Sequence, residues 1–301
     1  MANLKEVRDR IQSVINTQQI TKAMKMVSAS KLRKAQDAIV QMRPYADKLN
    51  EMLRNILSNL EGDVDTSFGE ERPIQRAAIV VITSNRGLCG AFNANVIKEA
   101  VNVIDTKYAE VRNAGYLDII PIGKKGFEFF SKSEYKDCRI VDDYVELFEN
   151  LSYDNVAVVS KRIMSCFSRG LYDNVTVAYG RFKNAAVQTP IAEQFLPVAK
   201  IEKTEGEEGN GNMKADYIFE PDKKGLLDHL VPSIIQTQFQ KFVLDTHASE
   251  HGARMTAMDA ATENAQELLK ELRLSYNKAR QEAITNEILE IVSGAAALAS
   301  G

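Results

Sequence analysis

Apolar residues recur in a three-four rhythm at both ends of this 301-residue chain and form short unbroken runs in its middle. Near the start, Leu4, Val7, Ile11 and Val14 are spaced 3-4-3. From Leu32 through Ala35, Ile39, Met42, Ala46, Leu49, Leu53, Ile56 and Leu60 the alternation continues without a miss. This is the seam of a helix in a coiled coil. Between the two runs a slip of register is expected, because Gln18 and Thr21 stand where apolar residues belong, while Ile20, Met24 and Val27 lie on a rotated face. A stutter there would change the supercoil locally. Pro44 costs roughly 3 kcal/mol in a helix interior, yet the heptad passes through it, so a kink and not an end is predicted. At 1.5 Å per residue such a helix would be ~85 Å long.

At the other end Ile235, Phe239 and Phe242 continue through Thr246, Ser249, Ala253, Thr256 and Ala260, and then Leu268, Leu272, Ala279 and Ala283 take over. The small residues in the middle of this seam suggest that two helix backbones approach closely, and Gly252 costs only about 1 kcal/mol relative to alanine. Two long, narrowly apolar helices joined by a compact middle are each other's natural partners, which predicts an antiparallel two-helix shaft. Ile284, Ile288, Leu289, Ile291 and Val292 make the last turns apolar on more than one face. A tip of that kind fits inside a surrounding sleeve better than against a single groove.

The middle has a different period. Ala77 to Thr83, Leu117 to Gly123 and Asn174 to Tyr179 read as buried strands, and Asn93 to Val111 and Asn155 to Arg169 as helices between them. Alternating β and α elements imply a mostly parallel sheet flanked by helices. The breakers agree: residues 1–61 hold no glycine and one proline, Pro44, while 13 of the 16 glycines fall in 62–225. The expected domains are an N-terminal long helix over 1–61, an α/β domain over 62–220 with a polar mobile loop at 200–216, and a C-terminal long helix over 221–301.

Composition narrows the classes. The net charge of −3 argues against a globally basic nucleic-acid binder, and 45% hydrophobic residues suffice for a core. No run approaches roughly 18 apolar residues, and the charged first ten residues do not resemble a signal peptide, so neither export nor a membrane span is expected. Cys89, Cys138 and Cys166 are odd in number and widely spaced, which fits a reducing setting without a disulfide framework. Residues 1–60 carry eleven Lys/Arg and five Asp/Glu, a net of +6, leaving −9 for the rest. From Arg10 to Gln36 six basic residues (Arg10, Lys22, Lys25, Lys31, Arg33, Lys34) occur with no acidic one. This is either a solvated face or a rail for an acidic partner.

Motifs for catalysis are weak. The turn Ser84 to Gly90 follows a strand and precedes a helix, but its Gly87 and Gly90 are one residue short of dinucleotide spacing and no Lys-Ser/Thr follows. It reads as a structural turn first and a nucleotide cradle second. His247-Ala248-Ser249-Glu250-His251 matches the H-x-x-E-H pattern of some zinc peptidases but lacks a third ligand and a pocket. All three histidines lie on the C-terminal arm, which leaves Cys89 without a base.

Several separated segments carry a resemblance. Ile20 to Val27 with Ala29-Ser30-Lys31, the turn Ser84 to Gly90 with Asn93, Tyr217 to Pro221, Ser249-Glu250 to Arg254-Met255, and Tyr276 to Gln281 with Thr285, Glu287 and Ile291 to Ala296 resemble, in order and from end to end, the γ subunits of bacterial F-type ATP synthases. The resemblance implies an α/β fold class: a long antiparallel coiled coil of the terminal helices plus a central Rossmann-like domain. It implies a non-catalytic central rotor shaft that couples proton flow through a membrane ring to ATP synthesis at the β subunits. The implied partners are an α3β3 hexamer, the ε subunit and the membrane c-ring, with one copy per complex, no nucleic acid, no cofactor and no metal. The implied location is the cytoplasmic side of the cell inner membrane, peripherally. By position, Met24, Lys25 and Lys31 resemble the part that meets the acidic lever of β, and Arg254, Gln281, Thr285 and Glu287 resemble coupling and catch residues. Tyr217 and Glu220 resemble the foot at the ring and ε. The polar loop around Gly206 to Gly211 departs from shorter members, and the paired cysteines of the chloroplast form have no counterpart. Absent the resemblance, an adaptor coiled coil with an α/β head or a nucleotide-dependent enzyme would be the competing readings.

Overall fold

The computed structural model describes residues 4–58, 68–198 and 223–299. They form α1 (Leu4–Ser58), β1 (Ala77–Ile82), α2 (Phe92–Thr106), α3 (Ala109–Asn113), β2 (Leu117–Ile122), α4 (Lys124–Phe130), β3 (Arg139–Ile140), α5 (Tyr153–Ser168), β4 (Asn174–Phe182), β5 (Gln188–Leu196) and α6 (Lys223–Ala299), with one 3-10 turn at Leu147–Glu149. The described residues pack as two compact units, one made of those up to Ala29 and from Arg254 onward, the other Ser30–Ala253.

The larger unit is built on a five-stranded sheet in the order β3-β2-β1-β4-β5. β1 pairs in parallel with both β2 and β4, and β5 returns antiparallel beside β4. All six residues of β1 are buried, which explains its unbroken apolar sequence: alternate side chains enter different cores. Ala78, Val80 and Ile82 face α5 and the Ile235, Phe239 and Phe242 stripe of α6. Ala77, Ile79 and Val81 face α2 through Phe92, Val96 and Ile104. Each fully buried Val or Ile contributes about 1.5–3 kcal/mol.

Four sequence expectations need correction in this unit or along its helices. The helix expected over Asn93–Val111 is broken, because Tyr108 leaves helical geometry to bury its ring, its hydroxyl bonding to Asn174 Oδ1 and Thr176 Oγ1. The sequence carries no clear signal for β5, since its half-buried edge holds polar residues and Pro190, whose missing N–H an edge strand tolerates. At Thr246 and Ser249 the small residues of α6 face the sheet. They admit β4: Ser249 Oγ donates to the Gly180 carbonyl at 2.9 Å, and a Cβ on Gly180 would lie 2.5 Å from Phe92 Cε2 and 3.3 Å from Ser249 Cβ. Likewise Gly252 lies against the β4–β5 turn, where its Cβ would stand 3.3 Å from the Ala185 carbonyl oxygen.

The fourth correction concerns the seams. No register slip occurs in α1: Thr21 and Ser28 are buried at 8% and 2%, whereas Ile20 and Val27 are 59% and 58% exposed. The heptad therefore runs on through Gln18, Thr21, Lys25 and Ser28, with short polar side chains standing in for apolar ones. In α6, Thr256 and Ala260 are exposed, and Met258, Ala265 and Leu269 take the buried face instead. α1 continues as helix through Pro44. The loop at 200–216 lies outside the described residues.

Candidate partner-contact surfaces

In the smaller unit α1 and α6 run antiparallel. The Thr21 and Thr262 hydroxyls share a hydrogen bond of 2.8 Å, and Lys25 Nζ donates to Asp259 Oδ1, so ascending numbers on α1 meet descending numbers on α6. The Lys25–Asp259 pair is half-exposed on both sides and is worth at most about 1 kcal/mol. Its importance is electrostatic placement: the basic run of α1 is not free of acidic neighbours once folded, since α6 supplies one. Asp259, Glu263, Glu267 and Glu271 form an i, i+4 row on α6. That spacing was legible in the sequence, but its pairing with Lys25 needed the fold.

Because the seam uses Thr21 and Ser28, the apolar row Ile20, Met24 and Val27 is turned outward, Met24 half-buried and the other two exposed. A shallow groove of about 450 Å³ lies on a different face of α1, lined by Gln18, Gln19, Lys22, Lys25 and Met26 with Asp259, Thr262 and Gln266 of α6 and by none of that row. An exposed apolar row flanked by lysines is suited to contact with an acidic protein surface. Lys31 is exposed on α1 and belongs to the larger unit. Arg254 is buried, at 7% exposure.

Residues 281–296 are all exposed. The pairing of Thr21 with Thr262 places Leu4 about level with Ala279, so these last turns of α6 extend past α1. Ile284, Ile288, Leu289, Ile291 and Val292 are 46–66% exposed there. Thr285 donates to the Gln281 carbonyl at 2.9 Å, and the two side chains sit one turn apart on one face. Glu287, two residues on, points roughly 160° away at 100° per residue. The proposed catch residues thus occupy two faces of one exposed helix. Tyr217 and Glu220 lie outside the described residues.

The Ser84 to Gly90 turn is internally satisfied. Ser84 N donates to Asn93 Oδ1 at 3.0 Å, Ser84 Oγ to the Arg86 carbonyl at 2.6 Å, and Asn93 Nδ2 to Ser84 Oγ at 2.8 Å. Gly90 adopts φ +59 and Leu88 φ +63, while a Cβ on Gly87 would meet nothing within 4 Å. Positive φ accounts for Gly90 but does not demand glycine at Gly87. His247 and His251 approach at Nε2···Nε2 3.2 Å, with Phe148 stacked on His247. Among the described residues no three His, Cys, Asp or Glu converge as a metal site.

Comparison with known proteins covers nearly the whole chain. The ATP synthase family profile (ATP-synt) matches residues 3–298. The ATP synthase gamma chain of Cytophaga hutchinsonii is 51% identical over 298 residues, and that of Flavobacterium psychrophilum 52%, each covering 99% of both chains. Among solved structures, a chain of the Euglena gracilis mitochondrial ATP synthase in its OSCP/F1/c-ring assembly superimposes with a TM-score of 0.67 at 24% identity, covering 99% of this chain and 95% of that one. A chain of the Euglena gracilis rotor gives 0.59 at 23% identity, covering 93% and 98%. These structural likenesses establish the fold, and the close sequence relatives establish descent: the chain belongs to the ATP synthase gamma chain family.

Proposed function

We propose that this chain is the central rotor shaft of an F-type ATP synthase, turned by a membrane ring and forcing the catalytic subunits of a surrounding α3β3 head through their states in sequence. The observation that carries this reading is the unpartnered end of α6, helical through Ala299 and exposed on every face from 281 to 296. A rotating tip needs apolar packing without strong directional bonds to any one neighbour, and these side chains provide that. The chain's role is mechanical and non-catalytic, with ATP made by its partners. The Met24 and Lys25 surface, with Lys31, meets an acidic lever of β. Arg254, Gln281, Thr285 and Glu287 serve as coupling and catch residues, while Tyr217 and Glu220 sit at the foot with ε and the c-ring. No helix among the described residues is long and apolar enough to cross a membrane. The attachment in this reading is peripheral, on the cytoplasmic side of the inner membrane.

Co-purification with cognate α and β subunits tests this. One copy per three αβ pairs, with ATPase activity, is the expected result, whereas self-association without activity supports an adaptor. Met24→Lys places a charge at a half-buried contact and is expected to lower the protons pumped per ATP hydrolysed. Unchanged pumping removes that contact from the mechanism.

A further inference from the structure

At the amino ends of the parallel strands, opposite the Ser84 turn, a cavity of about 290 Å³ opens in the larger unit. Its charged and aromatic lining is Arg76 before β1, Tyr116 before β2, Asp118 in β2, Arg139 in β3, Tyr144 after β3, Arg162 on α5 and Tyr172 before β4. Ile120 and Ile163 supply an apolar wall. The gamma-chain function gives this cavity no task.

Three observations define what would fit. Asp118 is buried at 9% exposure, and only one of its oxygens is engaged: Oδ2 accepts from the Tyr172 hydroxyl at 2.7 Å and lies 3.6 Å from the Arg139 guanidinium. Among the described residues Oδ1 has no hydrogen-bond partner, which leaves an acceptor beside the cavity. Second, among the described residues no carboxylate lies within ion-pairing distance of Arg76 or Arg162, and Arg76 rests over the Tyr116 ring at 5.7 Å. With three guanidiniums and one carboxylate the lining is left at +2. Third, the remaining wall is aliphatic and phenolic, which suits a flat ring.

A ligand matched to this lining combines an anionic group, a hydrogen-bond donor and a ring, in a volume at the small end of ligand pockets. Arginine prefers phosphate, which accepts its paired N–H groups. We propose that this cavity binds a nucleoside monophosphate, its phosphate held by Arg76 and Arg162, a ribose hydroxyl or base amine donating to Asp118, and its ring against the tyrosines and Ile163. Such a site would sit on the α/β unit, outside the partner-contact surfaces described above.

Calorimetric titration of the full chain with AMP at low salt tests it, with adenosine and inorganic phosphate as half-ligand controls. AMP is expected to bind at least about tenfold more tightly than either control. Arg162→Ala, a substitution at an exposed side chain, is expected to weaken AMP by about tenfold and leave adenosine unchanged. Asp118→Asn is expected to weaken AMP and adenosine together. If Asp118→Asn disturbs the fold, as circular dichroism would show, Arg162→Ala decides alone. No AMP binding at millimolar concentration, phosphate binding as strong as AMP, or indifference to Arg162→Ala overturns the proposal.

Discussion

Gly180 shows how the absence of one methyl group decides which elements can meet. With its Cβ position 2.5 Å from the Phe92 ring and 3.3 Å from Ser249, Gly180→Ala must push α2 or α6 off β4. The expected loss is about 1–3 kcal/mol, measured by urea denaturation. A glycine after Asn174–Tyr179 was visible in the sequence, as were the small residues of α6, but nothing in either segment says that they face each other. Asp245 illustrates a different limit. It is buried on α6, and burial raises its carboxyl to about 6, opposed by Lys241, Arg181 and Arg43 and reinforced by Glu193. Because the folded value exceeds the unfolded one, the folded state binds more protons between about pH 4 and pH 6, and stability falls as pH rises through that window. Above it the ionised carboxylate costs up to about 3 kcal/mol, reduced by solvent reaching the adjoining cavity of about 660 Å³. Asp245→Asn is therefore expected to stabilise the chain at pH 7.5 and to flatten the stability profile between pH 4 and pH 6. A profile identical to that of the unsubstituted chain would show that Asp245 does not titrate there.

For the long helices, periodicity was the reliable signal and residue polarity the misleading one. The spacing from Leu4 to Leu49 never leaves the heptad. Only the chemistry of Gln18 and Thr21 suggested a slip, and it misleads, because a short hydroxyl side chain can occupy a seam if it bonds across it. Thr21 and Thr262 do so at 2.8 Å. Thr21→Val alone leaves Thr262 without its cross-helix partner and is expected to cost about 1–2 kcal/mol, while the double Thr21→Val, Thr262→Val chain should recover most of it. A double-mutant cycle by thermal unfolding measures the coupling, and additive losses would remove the bond from the seam's energetics. The strands were legible where both faces are buried, as in β1. They were not where one side lies at an edge, as in β5, since a half-buried strand with Pro190 lacks both the unbroken run and the clean alternation.

Charge and exposure across the chain bear on partners more than on folding. The +6 of residues 1–60 against −9 elsewhere was readable from sequence alone. Which basic residues stay available was not, because Lys25 is matched by Asp259 only once α1 and α6 pair. The last turns of α6 are the converse case: the sequence marked them as apolar all round, and the structure leaves Ile288, Leu289, Ile291 and Val292 more than half exposed. Side chains left this exposed gain little folding stability through burial. Deleting residues 286–301 should therefore leave the unfolding free energy of the isolated chain within about 0.5 kcal/mol of the original. The same deletion should weaken retention in an α3β3 head, where those side chains would find their only cover. Calorimetry of the isolated chain and co-elution with α and β subunits separate the two effects. A large loss of stability in the isolated chain would mean that these turns pack within the chain itself. Unaltered retention would mean that the head grips the shaft elsewhere, along the Ile20, Met24 and Val27 row.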